Sequence, residues 1–197
     1  MFDKSCINKD IRDVAMMGSS MNTRSAALEA VKNSNIDGDW AEFGVHTGGT
    51  ARFFIDNLPQ STQLYLFDSF KGLPEQWDEN HPKGHFACDI PSFDNDHVSL
   101  VIGWFDKSVP KWARHRTRPL SFIHIDSDIY SSAKTVLWNC NSLIVPGTII
   151  LFDEFYGYKG WDMHEYRAYK EWINRFGRRC SYLGRSRTHR LFMKVEK

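Results

Sequence analysis

The chain has 197 residues, of which 42% are hydrophobic and 25% charged, so it is long enough for one domain with a full core. Its formal net charge of +1 argues against a dedicated nucleic-acid-binding protein, which normally carries a strong basic excess. The four cysteines form no CxxC pair, which excludes the common zinc-site spacings and favours reduced thiols.

The N-terminal residues and the longest apolar stretch bear on location. The first thirteen residues are rich in charge and lack the apolar segment of a secretory signal peptide. Residues 143–152 form the longest apolar stretch, which is too short to span a bilayer. We therefore expect a soluble cytoplasmic protein with no membrane or nucleic-acid partner, and we leave homo-oligomerisation open.

Strand and helix patterns alternate along the chain. Helical patterns cover residues 23–33, 50–58, 131–138 and 163–176, and strand patterns cover residues 40–45, 63–67, 98–102, 120–125 and 148–152. Residues 181–183 and 189–195 predict a closing hairpin. This alternation predicts an α/β fold with a mainly parallel sheet covered on both faces, which binds ligands at the carboxyl ends of its strands.

Residues 71–96 form a long segment rich in Pro, Gly, Asn and Asp. A loop of this length inside a compact domain is usually functional, so we interpret it as a lid excursion with Trp77 and Phe86 as aromatic anchors. The predicted organisation is therefore a single domain over residues 1–197, with an N-terminal arm at residues 1–22 and this excursion.

A glycine-rich turn follows the first strand pattern. Gly44, Gly48 and Gly49 stand where the strand turns into a helix, but their spacing is not GxGxxG and no Walker A motif is present. Asp68 ends the second strand pattern, where a carboxylate can accept both hydroxyls of a ribose. A structural turn and a turn aspartate are the alternatives. Together the two features favour an adenosine-type ligand without a pyrophosphate.

Carboxylates follow the fourth and fifth strand patterns. Asp126 and Asp128 come after the fourth strand, and Asp153 and Glu154 after the fifth. If these strands are adjacent, the four groups meet at one edge of the sheet and repel one another. A hard divalent cation such as Mg²⁺ would relieve that repulsion. The alternative is that some of them cap helices and others face solvent.

Five segments in fixed order carry a family resemblance. They are GDWAEFGVHTGGT, LYLFDSFKGLPE, VIGWFDKSVP, FIHIDSDIYSSAKTVL and PGTIILFDEFYGY, and they run from about residue 38 to 158. In these segments the chain resembles the macrocin O-methyltransferase family of class I S-adenosylmethionine-dependent enzymes. The resemblance implies a Rossmann-like fold with a seven-stranded sheet whose last strand is antiparallel. It also implies methyl transfer to a hydroxyl of a small acceptor such as a sugar, polyketide or phenol.

The resemblance also implies roles for individual residues. The cofactor-binding set is Glu42, Gly44, Gly48, Thr50, Asp68, Ser69, Trp104, Phe105 and Asp126. The metal set for Mg²⁺ or another divalent cation is Asp126, Asp153 and Glu154. Asp128 matches the general base. Apart from the resemblance, the position of His164 in the loop after the fifth strand makes it a second catalytic candidate. The chain departs from the family at Glu154, where an aspartate is usual, and this puts metal dependence in doubt.

Other functions remain open on this architecture. An aminopropyl transferase that uses decarboxylated S-adenosylmethionine, a nicotinamide enzyme, and a non-catalytic adenosine-binding protein all fit a Rossmann-like sheet. The missing GxGxxG motif weighs against the nicotinamide enzyme. The full set of carboxylates weighs against a non-catalytic protein.

Overall fold

The computed structural model describes residues 9–197, so residues 1–8 of the predicted N-terminal arm lie outside the described residues. The helices are α1 (Lys9–Arg12), α2 (Ser20–Ser34), α3 (Gly49–Ile55), α4 (Phe105–Ala113), α5 (Tyr130–Asn139) and α6 (Glu165–Phe176), with a 3-10 turn at Trp161–Met163. The strands are β1 (Met16–Gly18), β2 (Asp39–Phe43), β3 (Leu64–Asp68), β4 (Val98–Ile102), β5 (Leu120–Ile125), β6 (Ile144–Phe152), β7 (Cys180–Ser186) and β8 (Leu191–Val195).

The strands form one sheet in the order β1-β7-β8-β6-β5-β2-β3-β4. All neighbouring strands are parallel except β8, which runs antiparallel to both β6 and β7. The predicted α/β class and the antiparallel last strand are confirmed. The predicted count of seven strands is wrong by one, because β1 pairs with β7 at the sheet edge inside the segment that we expected to be an arm.

Both faces of the sheet are covered because its central strands are apolar on both sides. Every residue of β2 and of β5 is buried. One face packs against α2 and α3, and the other against α4, α5 and α6. No helix among residues 9–197 is long and apolar enough to cross a membrane. Within the same range, Cys88, Cys140 and Cys180 form no disulfide.

Three local elements differ from the sequence prediction. Helix α4 was not predicted, since Pro110 lies inside it, yet it buries Val109 and Trp112. Helix α2 begins three residues earlier than predicted because the Ser19 side chain caps it, accepting a hydrogen bond from the N–H of Asn22. Strand β6 begins at Ile144, four residues before the predicted strand, and runs through Pro146 and Gly147 with an irregular register.

The carboxyl ends of β2 and β5 approach each other closely at Gly44. The N–H of Asp126 donates to the carbonyl of Phe43, and a Cβ atom on Gly44 would lie 1.7 Å from the carbonyl oxygen of Asp126. Gly44 also has φ +100°, which side-chain-bearing residues rarely adopt. The close contact between the two strands therefore requires glycine at position 44. This agrees with the structural turn that the sequence left open as the alternative to a ligand-binding turn.

We predict that Gly44→Ala lowers the free energy of unfolding by about 3 kcal/mol or more, from backbone strain and overpacking together. The matched control is Gly49→Ala, because a Cβ atom on Gly49 meets nothing within 4 Å. The control should change stability by less than about 1 kcal/mol. Urea denaturation of the ligand-free protein measures both values. Equal effects of the two substitutions would contradict the assigned close approach.

Candidate functional site

A cavity of about 640 Å³ opens at the carboxyl edge of the sheet. It lies where the strand order reverses between β2 and β5, as expected for ligand sites in sheets of this kind. The predicted site residues that line it are Gly44, Asp68, Ser69, Trp104, Phe105, Asp126, Asp128 and Glu154. Five other predicted residues do not line it, namely Glu42, Gly48, Thr50, Asp153 and His164.

Asp68 ties two loops together at the cavity. Its Oδ2 atom accepts hydrogen bonds from the N–H groups of Val45 and His46, each at 2.8 Å. Its Oδ1 atom accepts from the N–H of Phe70 at 2.8 Å. Since a carboxylate offers about four lone-pair sites, roughly one remains for a ligand hydroxyl. Asp68 therefore fixes the glycine-rich turn, a role that the sequence analysis weighed only as the alternative.

Aromatic side chains line the cavity beside Asp68, where β4 leads into α4 and the N–H of Gly103 donates to the carbonyl of Asp68. Trp104 precedes the first residue of α4, and both Trp104 and Phe105 line the cavity. The ring of Phe105 packs edge-on against Phe43, with ring centres 5.8 Å apart. These rings offer a flat apolar surface of the kind that binds a planar base.

The 71–96 excursion forms the outer wall of the cavity. It contains no helix and only isolated bridges, as predicted, and it folds back on itself where the N–H of Leu73 donates to the carbonyl of His85. It contributes Trp77, Lys83 and Phe86 to the cavity lining. The ring of Trp77 contacts that of His164 at 6.4 Å, so His164 lies behind this wall instead of in the cavity.

Three carboxyl groups line the cavity next to one another. Burial raises the pKa of Asp128 to about 7, and the nearby charge of Asp153 adds to the rise. Burial raises the pKa of Glu154 to about 9, with Asp153 and Glu165 adding to it. The pKa of Asp126 is also raised, by burial first and then by repulsion from Asp153. At neutral pH, Glu154 is thus a hydrogen-bond donor and Asp128 is poised to exchange a proton.

A row of buried charges lies beneath the cavity floor. His124 is wholly buried, and its Nδ1 atom is 3.0 Å from Oε1 of Glu42. Its Nε2 atom is 3.5 Å from Oδ1 of Asp153. Arg190 donates to both oxygens of Asp153 at 2.6 Å, and Arg24 lies 3.6 Å from it. Burial alone would raise the pKa of Asp153, but His124 and the two arginines outweigh it and hold that pKa below its usual value.

The predicted magnesium ligands do not gather as one set. One donor atom from each of His124, Asp126 and Asp153 lies within 4.8 Å of the other two, and Glu154 is outside that group. A divalent cation there would compete with Arg190, which already binds both oxygens of Asp153. These residues therefore do not fit a resident Mg²⁺ ion. Magnesium stays a prediction from the resemblance.

Comparison with known proteins identifies the family. Residues 41–155, more than half of the chain, match a family described as a methyltransferase domain. The protein therefore belongs to this methyltransferase-domain family. The narrower resemblance to the macrocin O-methyltransferases stays a prediction.

A curated relative comes from Streptomyces olivaceus. It is the 8-demethyl-8-(2,3-dimethoxy-alpha-L-rhamnosyl)-tetracenomycin-C 4'-O-methyltransferase, and it is 26% identical over 151 residues. The match covers 65% of this chain and 57% of the relative, so the chain spans little more than half the length of that protein.

Solved structures share the fold. The O-methyltransferase NovP has a TM-score of 0.69 at 19% identity, covering 90% of this chain and 79% of NovP. The calicheamicin methyltransferase CalS11 has a TM-score of 0.67 at 18% identity, covering 89% of this chain and 80% of CalS11. An O-methyltransferase from Bacillus cereus in complex with SAH has a TM-score of 0.58 at 14% identity, covering 91% of this chain and 82% of that enzyme. The class I methyltransferase fold predicted from the sequence is confirmed.

Sequence reasoning missed two residues that organise this site. Glu165 is wholly buried at the start of α6, where an acidic residue is normally explained by the helix dipole. Arg190 lies 37 residues beyond Asp153 and precedes an antiparallel strand, so no local motif joins the two. Only the pairing of β6 with β8 brings Arg190 to the cavity floor.

We predict that Arg190→Met lowers the free energy of unfolding by about 3–5 kcal/mol, because Asp153 would keep a buried charge without its main partner. Arg187→Met is the matched control, since Arg187 is exposed on the same loop, and it should change stability by less than about 0.5 kcal/mol. Chemical denaturation at pH 7 measures both. Similar values for the two variants would contradict the role given to Arg190.

Proposed function

We propose that this protein is an S-adenosylmethionine-dependent O-methyltransferase that acts on a hydroxyl group of a small molecule. The carrying observation is the cavity at the strand-order reversal, which joins the Asp68-fixed turn, an aromatic pair and Asp128 in one space. Membership of the methyltransferase-domain family supports the proposal. A cytoplasmic location, a single domain and homo-oligomerisation stay predictions beside it.

The cavity offers a place for each part of the cofactor. The turn at Gly44 lies beside the proposed position of the methionine part, and Asp68 and Ser69 lie beside that of the ribose. Trp104 and Phe105 lie beside that of the adenine. Glu42 has one oxygen, Oε2, without a hydrogen-bond partner among the described residues, but it lies beneath the floor, so its contact with cofactor stays a prediction.

Transfer needs alignment and the removal of one proton. When bound, S-adenosylmethionine supplies a methyl group on a positively charged sulfur, which leaves as a neutral thioether. The acceptor oxygen forms the new C–O bond as the C–S bond breaks, and the electron pair of that bond stays on sulfur. Asp128 takes the hydroxyl proton as general base, and the protonated carboxyl group of Glu154 donates a hydrogen bond that orients the acceptor.

A sugar hydroxyl is the acceptor that we propose testing first. The name of the Streptomyces relative states methylation of a rhamnosyl group, and CalS11 is described as a TDP-rhamnose 3'-O-methyltransferase. The wall residues Trp77 and Phe86 provide apolar faces on which a sugar ring packs. Phenol and polyketide hydroxyls are the other acceptors to include.

We also propose that the 71–96 excursion acts as a lid over the bound cofactor. Its contacts reach both sides of the cavity. Ser131, in the first turn of α5, donates to Glu75 at 2.6 Å. The ring of Trp77 packs against Tyr158, in the loop after β6, at 5.7 Å. A segment held mainly by such side-chain contacts can open without disturbing the sheet.

Cofactor choice is tested by calorimetric titration with S-adenosylhomocysteine and NAD. We expect S-adenosylhomocysteine alone to bind, and hydrogen exchange in residues 71–96 to slow when it does. Asp68→Ala should weaken this binding by roughly 1–3 kcal/mol, because buried polar groups lose their partner. The control is Asp89→Ala, an exposed carboxylate of the excursion that does not line the cavity. Binding of NAD in place of S-adenosylhomocysteine would favour the nicotinamide enzyme. Unchanged hydrogen exchange in residues 71–96 would contradict the proposal that this segment is a lid.

Turnover is tested by release of S-adenosylhomocysteine with methyl rhamnoside, TDP-rhamnose and catechol as acceptors. We expect Asp128→Asn to lower the rate by roughly 10²–10⁴ while cofactor affinity is kept. In the wild type Asp128 must be ionised and Glu154 protonated, so the rate should fall about tenfold per pH unit below pH 7 and stay level between about pH 7 and 9. Asp153 and Asp68 raise the pKa of Asp128, and His81 lowers it. Asp162→Asn, an exposed carboxylate outside the cavity, is the control.

The same assays with and without a chelator address the metal. Because the donor set does not fit Mg²⁺, we expect the wild-type rate to be unchanged by the chelator. A lost rate that added Mg²⁺ restores would overturn this expectation and favour the metal-assisted mechanism. An Asp128→Asn variant with the wild-type rate and pH profile would remove Asp128 as the base.

A further inference from the structure

The carboxyl group of Glu165 joins the two loops that carry the proposed chemistry. Its Oε1 atom accepts a hydrogen bond from the N–H of Ser127 at 3.1 Å. Its Oε2 atom accepts one from the N–H of Glu154, also at 3.1 Å. Ser127 stands in the loop after β5, and Glu154 in the loop after β6. One buried side chain on α6 thus bridges the carboxyl ends of two adjacent strands.

The bridge acts on the backbone beside each cavity-lining carboxyl group. Ser127 lies between Asp126 and Asp128, and the second N–H belongs to Glu154 itself. Asp128 has φ +60°, a conformation that is costly for a residue with a side chain. Such a conformation persists only where its surroundings determine it. The Glu165 bond fixes the peptide group between Asp126 and Ser127, one residue before Asp128.

The position of Glu165 at the start of α6 does not explain why its side chain is buried. An acidic residue in the first turn of a helix interacts with the helix dipole equally well from the surface. Glu165 is 0% exposed instead, and burial raises its pKa to about 8. Among residues 9–197, its hydrogen-bond partners that offset the free-energy cost of this burial are the two N–H groups and, weakly, the Ser127 hydroxyl at 3.5 Å. The side chain is therefore placed by its contacts with the two loops.

We propose that Glu165 is a positioning residue for methyl transfer, holding Asp128 and Glu154 at the separation that the acceptor hydroxyl requires. This inference rests on the proposed function. Glu165 does not line the cavity, so it touches neither cofactor nor acceptor. Its effect passes through the backbone of the two loops. Misplacing a catalytic group by about 1 Å can lower a rate by roughly 10²-fold.

The test compares Glu165→Gln with Glu171→Gln on the same helix. The glutamine keeps the shape of Glu165 but turns an NH₂ group toward one of the two N–H donors, so one contact is lost. Glu171 accepts from Tyr130, Lys134 and Arg167 outside the cavity, so its variant reports a structural loss alone. For both variants we would measure thermal unfolding and the dissociation constant of S-adenosylhomocysteine. We would also measure kcat and KM with whichever of the three acceptors gives the highest rate.

We expect Glu165→Gln to lower kcat by about 10- to 100-fold while KM and the S-adenosylhomocysteine constant stay within about threefold. Glu171→Gln should leave kcat unchanged even if it unfolds at a lower temperature. A Glu165→Gln variant with the wild-type kcat overturns the proposal, and so does a kcat loss that Glu171→Gln shares.

A second measurement separates this inference from the proposed function and covers a variant that fails to fold. Glu165→Asp is shorter by one methylene, so it reaches only one of the two N–H groups. In the protein saturated with S-adenosylhomocysteine, we expect at least tenfold faster hydrogen exchange at the amides of Ser127 or Glu154 in this variant. Unchanged hydrogen exchange at both amides overturns the proposed Glu165 bridge, whether or not an acceptor is found. If exchange is faster but the protein methylates none of the three acceptors, the Glu165 bridge is supported and those acceptors are rejected.

Discussion

Among residues 9–197, six carboxyl groups meet around the carboxyl ends of β2, β5 and β6, and the way their charge is balanced organises the rest of the site. They are Glu42, Asp126, Asp128, Asp153, Glu154 and Glu165. Beneath the floor, Asp153 is paired with Arg190 and Glu42 with His124. Glu165 is balanced by backbone N–H groups. The remaining three face the cavity without a cationic partner at hydrogen-bond distance among the described residues, and their pKa values are raised.

This division gives the two sides of the floor different tasks. The paired groups beneath it connect β2, β5 and β6 to α2, because Arg190 also donates to the Ser20 hydroxyl at the start of that helix. A buried pair of this kind costs desolvation, so it fixes one arrangement of the strands more than it adds to stability. The cavity-facing groups stay unpaired, and raised pKa values suit them to exchange protons near neutral pH.

The sequence predicted the sheet because its central strands are short apolar runs that end in glycine or aspartate. The glycine and aspartate residues at the ends of these strands also predicted where the cavity lies, since parallel strands bring their carboxyl ends to one edge of the sheet. The sequence analysis missed β1, which has only three residues, and α4, which contains Pro110. It also failed for the partner of Asp153. Carboxylates near in sequence suggested a metal, whereas the fold supplies the guanidinium group of Arg190 from the loop between β7 and β8.

The unpaired carboxyl groups also bear on how substrate and product would be distinguished. In the proposed reaction the cofactor enters with a positively charged sulfur and leaves with a neutral one. Asp126 and Asp128 line the cavity, so in their ionised forms they would attract the charged cofactor more strongly than the neutral product. A resident divalent cation would reverse part of that preference by neutralising the same groups. Because Arg190 pairs with Asp153, it does not neutralise Asp126 or Asp128, so their attraction would act on the sulfonium and be lost once the methyl group has moved.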